Sequence, residues 1–147
     1  RVSTPVPGLT HRFPRPEELR ELGPAELPMP RARGRALQAL CAALADGEVA
    51  LDRGPARADV RARLLELPGI GPWTADYIAL RALGDPDVFL PGDLAVRRIL
   101  TERAGLADPR AIAERASSWS PWRSYALMHL WQTVMPPVPT LPPNGDR

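Results

Sequence analysis

One short glycine-rich segment has residues suited to binding another molecule. It reads Leu67-Pro68-Gly69-Ile70-Gly71-Pro72, and an apolar helical pattern lies on each side of it. The two glycines permit positive φ and leave no side chain in the way, so the amides that open the next helix can approach a phosphate. Ile70 is expected to pack inward and hold the turn. An ordinary corner between helices also favours glycine, but the whole pattern favours binding to a nucleic-acid backbone.

The inventory of basic and sulfur-bearing residues restricts the chemistry. The 147-residue chain has a formal net charge of +2, and all nineteen of its basic residues are Arg. Arginine binds phosphate bidentately, but without Lys no side chain can serve as an amine nucleophile. The single cysteine, Cys41, excludes a disulfide framework, an all-cysteine zinc site and a four-cysteine iron–sulfur cluster built from this chain. His11 and His129 have no metal-like neighbours at helical spacing, so no zinc site is expected.

The length and hydropathy of the chain point to one compact domain. No apolar run approaches the length of a membrane span and no signal peptide opens the sequence, so we expect a cytoplasmic protein without a membrane partner. The first residue is Arg1 rather than Met, which suggests part of a longer polypeptide.

Helical periodicity, proline and glycine divide the chain into short helices. An all-α fold is therefore predicted, with six or seven helices around one core. The predicted helical domain covers residues 1–135, and a Pro-rich tail at 136–147 is expected to be extended or disordered. The helices are predicted at 16 to about 22, 31–45, 58–67, 72–83, 93–103, 109–117 and 121–134. The exposed face of the second helix carries Arg31, Arg33 and Arg35.

Three stretches carry a resemblance to a known family: residues 67–77, 87–93 and 119–131. Together they resemble the helix-hairpin-helix/Gly-Pro-Asp superfamily of DNA glycosylases, and more narrowly the DNA-3-methyladenine glycosylase II (AlkA-like) family. The similarity runs from about Phe13 to Gln132. The element that names the superfamily is permuted here to Pro91-Gly92-Asp93, but the aspartate keeps its place.

The resemblance implies that Asp93 is the essential carboxylate of a DNA glycosylase. Cleavage of the N-glycosidic bond builds positive charge on the deoxyribose, which a fixed carboxylate stabilises while it orients or deprotonates water. A purely structural role is the alternative, because Asp93 also stands where the N-cap of the following helix is expected. Both roles can hold at once.

Position 73 implies the type of glycosylase. Superfamily members that also cut the strand carry a lysine there, which forms a Schiff base with the sugar, whereas this chain has Trp73. The resemblance therefore implies a monofunctional enzyme that uses water, leaves an abasic site and has no lysine-dependent lyase activity.

The resemblance also implies a base pocket formed by Trp73, Tyr77 and Trp131. A flipped-out alkylated purine is cationic, and electron-rich rings favour it by stacking and cation–π attraction. For Trp131 a core role is equally supported, and Trp119 and Trp122 are expected to be core residues. The implied partner is double-stranded DNA with alkylated bases, acted on in base-excision repair in a bacterial cytoplasm at the nucleoid.

Further contacts are expected around this site. The implied DNA-binding residues are Pro68, Gly69, Ile70, Gly71, Pro72 and Thr74, together with Arg97 and Arg123. For Arg97 the alternative is a position on a solvated helix face. For Arg123 the alternative is a cap on a neighbouring element. No cofactor is required, although the carbonyls of Leu67 and Ile70 could hold a monovalent cation.

Upstream domains of the same polypeptide are further expected partners, because family members generally begin with a β-rich domain that is absent here.

Two hypotheses remain on the sequence alone. The chain is either the catalytic part of such a glycosylase, or a non-catalytic helix-hairpin-helix DNA-binding module or inactive fragment of a larger repair protein. The first requires the Asp93 carboxylate to open into the same cleft as Trp73 and Tyr77.

Overall fold

The computed structural model describes residues 1–52 and 57–134. These residues form seven helices and no strand, which confirms the all-α prediction for this part of the chain. The predicted Pro-rich tail, 136–147, lies outside the described residues. The helices are α1 (Pro16–Arg20), α2 (Arg31–Ala45), α3 (Arg57–Glu66), α4 (Pro72–Arg81), α5 (Leu94–Ala104), α6 (Pro109–Ser117) and α7 (Arg123–Gln132). The chain divides into two compact units, Arg1–Ala75 and Asp76–Arg147, with the division inside α4.

The first unit is built on α2. The short helix α1 packs against it, and an ion pair of 2.7 Å joins Arg20 to Asp46 at the end of α2. Gly34 is buried in α2, and a Cβ there would lie 2.9 Å from the carbonyl oxygen of Pro24, so only glycine permits this close approach. The core of this unit contains Leu27, Ala36, Cys41, Ala43, Val49, Leu64, Ile70 and Ala75.

The second unit is built around α5, which packs against α6 and α7. Asp108 caps α6 by accepting from the amide of Ala111, and Gly105 ends α5 with a φ of +68°. The fully buried side chains here include Leu83, Leu90, Val96, Ile99, Ile112 and Leu127.

The last helix differs from its prediction. It begins at Arg123 rather than at Pro121, and Trp122 occupies its N-cap position. Trp122 therefore lies before the first turn of α7 and not on its inward-packing face, and 60% of its surface is exposed. The prediction that Trp122 is a core residue was wrong, whereas Trp119 is half-buried with its ring 5.5 Å from the ring of Phe89.

Candidate active site

Asp93 lies in the second unit and is the N-cap of α5. Its Oδ1 accepts hydrogen bonds from the amides of Ala95 and Val96, each at 3.1 Å. The capping role that the sequence left open is therefore present. The same bonds hold the half-buried carboxylate at the positive end of the helix, where its negative charge is stabilised.

A third hydrogen bond to Asp93 comes from an aromatic residue. The indole Nε1 of Trp131 donates to the same Oδ1 at 3.2 Å, from a half-buried position near the end of α7. The ring of Trp131 in turn contacts the ring of Tyr77, with 6.1 Å between centroids and 52° between planes. The fold thus brings together three residues that the sequence predicted for one site, although they lie as far as 54 positions apart in the chain.

This cluster of Tyr77, Trp131 and Asp93 has the parts that a cationic reacting group requires. A carboxylate fixed by three donors has an orientation that does not need to reorganise as charge develops. Two electron-rich rings beside it offer faces for stacking and cation–π attraction. Chemically, the arrangement can bind a flat cation and stabilise positive charge next to it.

Trp73 lies on α4, four residues before Tyr77. Both side chains are exposed on that helix, 46% for Trp73 and 36% for Tyr77. Residues at this spacing share one face of a helix. Neither ring is buried as a core residue would be, so both are accessible for stacking with another molecule.

The segment 67–72, called here the glycine hairpin, lies between α3 and α4. Ile70 is buried, as predicted, and its amide donates to the carbonyl of Leu67 at 3.1 Å. Gly69 has a φ of +82°, and a Cβ there would lie 2.8 Å from the Cβ of Ala36. Gly69 is thus required both by its backbone conformation and by its contact with α2.

Gly71 does not adopt the positive φ that glycine permits. Its backbone lies outside the left-handed region, since it leads directly into the first turn of α4. A Cβ at Gly71 would meet nothing within 4 Å. The space beside Gly71 is therefore open, in line with the expectation that no side chain blocks an approaching backbone. Pro68, Gly69 and Pro72 are also exposed, and Thr74 is half-buried.

Arg123 takes the structural role that the sequence left as an alternative to phosphate contact. Its Nε donates to Oδ1 of Asp87 and its Nη2 to Oδ2, both at 2.7 Å. This guanidinium holds the pKa of Asp87 well below its ordinary value, and Asp87 raises the pKa of Arg123. The other predicted arginine, Arg97, is half-buried, and its Nε is buried without a hydrogen-bond partner among the described residues.

Sequence reasoning missed the residues that position the loop before Asp93. Buried Ser124 donates through Oγ to the carbonyl of Asp85 at 2.6 Å and accepts from the amide of Val88 at 2.9 Å. Asp87 also accepts from Ser120 Oγ at 2.8 Å. The sequence signal that could have pointed to them was the presence of Ser124 in the stretch 119–131 and of Asp87 in the stretch 87–93. These bonds, with the Asp87–Arg123 pair, form what we call the loop clamp.

Within 1–52 and 57–134, no three or more His, Cys, Asp or Glu side chains are grouped so that they could bind a metal ion. None of the helices in these ranges is long and apolar enough to cross a membrane.

Known proteins with similar sequences were found in bacteria. A probable bifunctional transcriptional activator/DNA repair enzyme AlkA of Mycobacterium tuberculosis (strain ATCC 25618 / H37Rv) is 48% identical over 137 residues, covering 92% of this chain and 27% of that protein. DNA-3-methyladenine glycosylase 2 of Escherichia coli (strain K12) is 38% identical over 124 residues, covering 82% of this chain and 43% of that protein. A DNA-3-methyladenine glycosylase of Bacillus subtilis (strain 168) is 33% identical over 79 residues, covering 52% of this chain and 26% of that protein.

The chain spans only 27% of the mycobacterial relative and 43% of the Escherichia coli enzyme. No protein-family model matches it. The mycobacterial match nevertheless covers 92% of this chain, and the Escherichia coli and Bacillus subtilis relatives are both named DNA-3-methyladenine glycosylases. Over nearly its whole length, the chain is therefore homologous to a part of the AlkA-like DNA-3-methyladenine glycosylases.

Proposed function

We propose that this chain carries the catalytic residue and the DNA-binding hairpin of a glycosylase that excises alkylated purines of the 3-methyladenine type from duplex DNA. The hydrogen bond from Trp131 to Asp93, with Tyr77 against the same indole, is the observation that carries the proposal. It joins the predicted carboxylate to the predicted base-stacking rings in one cluster. The names of the relatives, which are DNA repair enzymes, support the same activity.

In the proposed reaction, duplex DNA binds through the glycine hairpin and the damaged base is flipped out of the stack. Trp73, Tyr77 and Trp131 bind the cationic base by stacking. As the N-glycosidic bond breaks, the Asp93 carboxylate stabilises the positive sugar and orients water for attack at its anomeric carbon. The products are the free base and an abasic site, and the strand stays intact because no lysine is present to form an imine.

Two further features belong to this proposal. A monovalent cation on the carbonyls of Leu67 and Ile70 would bridge the hairpin to a DNA phosphate, and no other cofactor is required. Because the relatives are bacterial and longer than this chain, we infer action on bacterial DNA in the cytoplasm, with other domains of the same polypeptide as partners.

The test compares two aspartates that cap helices of the second unit. Asp93→Asn keeps a good N-cap residue but removes the charge, and Asp108→Asn makes the same change at α6, where the carboxylate accepts from the amide of Ala111. With the full chain and an alkylated duplex, we expect Asp93→Asn to slow base release by at least about 100-fold, with binding largely retained. Asp108→Asn is expected to release base at the wild-type rate.

The readout is the number of abasic sites that break only after alkali. Base release by Asp93→Asn at the wild-type rate would end the catalytic assignment. DNA binding by the wild-type chain without any base release would favour the non-catalytic DNA-binding module instead.

A further inference from the structure

The start of α2 carries an unusual set of charges. Arg31, Arg33 and Arg35 are all exposed, the first turn contains no acidic residue, and Pro30 at the N-cap provides no side-chain cap. The N-terminal end of a helix is its positive end, which disfavours cations. Arg31 and Arg35 also stand four residues apart, where like charges repel. Among the ion pairs of the described residues, none involves these three arginines.

Arg33 lies beside the glycine hairpin. It lines a groove of about 400 Å³ in the first unit, which Gly69, Ile70 and Thr74 line as well. The hairpin contacts α2 closely, since a Cβ at Gly69 would lie 2.8 Å from that of Ala36. Arg33 precedes Ala36 by three residues, so it is on the same side of α2, one turn nearer the N-terminus. The groove therefore has a guanidinium on one wall and the hairpin on the other.

We propose that Arg33, with Arg31 and Arg35 next to it, binds the sugar–phosphate backbone of the DNA beside the phosphates taken by the hairpin. This inference rests on the proposed function and extends its DNA interface to a second helix. A guanidinium is always charged and binds a phosphate through two parallel hydrogen bonds, without reading the base. A DNA phosphate would thus supply the negative charge that the start of α2 lacks.

The experiment measures binding of the full chain to a duplex that contains a stable abasic-site analogue, over a series of salt concentrations. The variant is Arg33→Gln, and the matched control is Arg110→Gln, an exposed arginine in the first turn of α6. We expect Arg33→Gln to weaken binding about tenfold at low salt and to reduce the slope of log K against log salt by about one. Arg110→Gln is expected to change neither quantity, and Arg33→Lys is expected to recover part of the loss.

The Tm of the Arg33→Gln variant distinguishes a phosphate-binding role of Arg33 from a purely structural one. Removing a cation from the positive end of α2 is expected to leave Tm unchanged or to raise it, while DNA binding falls. Wild-type affinity and slope for Arg33→Gln, alongside weakened binding for Gly71→Leu, would overturn the inference and leave the proposed function standing. Equal losses for Arg33→Gln and Arg110→Gln would also overturn it, as an effect of net charge alone. If the wild-type chain does not bind the duplex, both proposals fail.

Discussion

At the scale of single residues, one oxygen of Asp93 both caps α5 and binds the indole of Trp131. Its Oδ1 accepts from two amides of α5 and from the indole of Trp131. The cap fixes the carboxylate relative to the helix, and the indole fixes it relative to the aromatic rings. Trp131 is therefore a positioning residue for Asp93 as well as a wall of the proposed base pocket.

These two contributions of Trp131 can be separated by substitution. Trp131→Phe keeps an aromatic face but removes the Nε1 donor, and we expect base release to slow about tenfold, which corresponds to about 1.4 kcal/mol. Trp131→Leu removes the aromatic face too and is expected to slow it further. The measurement is the single-turnover rate on alkylated duplex DNA, with Trp119→Phe as the control. A rate for Trp131→Phe equal to wild type would show that the hydrogen bond does not position Asp93.

The two hairpin glycines differ in what surrounds them. Gly69→Ala places a side chain at a φ of +82° and against Ala36, so we expect a loss of about 1–3 kcal/mol in the free energy of unfolding. Gly71→Ala meets open space, so Tm is expected to stay at the wild-type value while DNA affinity falls. Denaturant unfolding and duplex binding, measured on both variants, check this. A large loss of stability for Gly71→Ala would contradict the assignment of that space to a ligand.

At the scale of elements, the loop clamp joins the segment before Asp93 to the start of α7. Ser124 binds the backbone at Asp85 and Val88, and Arg123 binds Asp87. The loop that ends in Asp93 and the helix that carries Trp131 are thereby held together at one end. At the other end, the indole–carboxylate bond joins them again.

The Asp87–Arg123 pair predicts a dependence of stability on pH. Because the pKa of Asp87 is lowered in the folded state, its stabilising effect is fully present above the ordinary aspartate value of about 3.9 and is lost as the pH falls below it. We expect Asp87→Asn to cost about 1–2 kcal/mol at pH 7, since both side chains are partly exposed. Thermal unfolding from pH 7 to pH 3 should show the gap to wild type narrowing below about pH 4. A gap that stays constant over this range would mean that the ion pair is not its cause.

At the scale of the whole molecule, the absence of lysine limits the products of the proposed reaction. All nineteen basic residues are Arg, so the chain has guanidinium groups that can bind phosphate but no side-chain amine for imine formation. In the proposed reaction, this composition allows DNA binding without lysine-dependent strand cleavage.

This separation can be measured directly. The full chain is expected to release alkylated bases from duplex DNA and to leave the strand uncut until alkali is added. Borohydride reduction in the presence of an abasic duplex is expected to trap no protein–DNA adduct. A trapped adduct would refute the monofunctional mechanism.

The sequence by itself determined the helices and the composition of the proposed site. Apolar periodicity, proline and glycine placed α2 and α6 within their observed bounds, because these signals act locally along the chain. Through the family resemblance that its motifs carry, the sequence also nominated Asp93, Tyr77 and Trp131. Start and end signals were weaker around Pro121, and the predicted helix therefore began two residues too early and included Trp122 in the core.

Only the tertiary structure decided which atoms meet. The bond from Trp131 to Asp93 spans 38 positions, and the Asp87–Arg123 pair spans 36. A periodic sequence pattern cannot predict such pairings, because they depend on how α5 and α7 pack rather than on local backbone preference. For the same reason the sequence could not tell that Arg123 serves the fold, or that Arg33 faces the groove beside the hairpin.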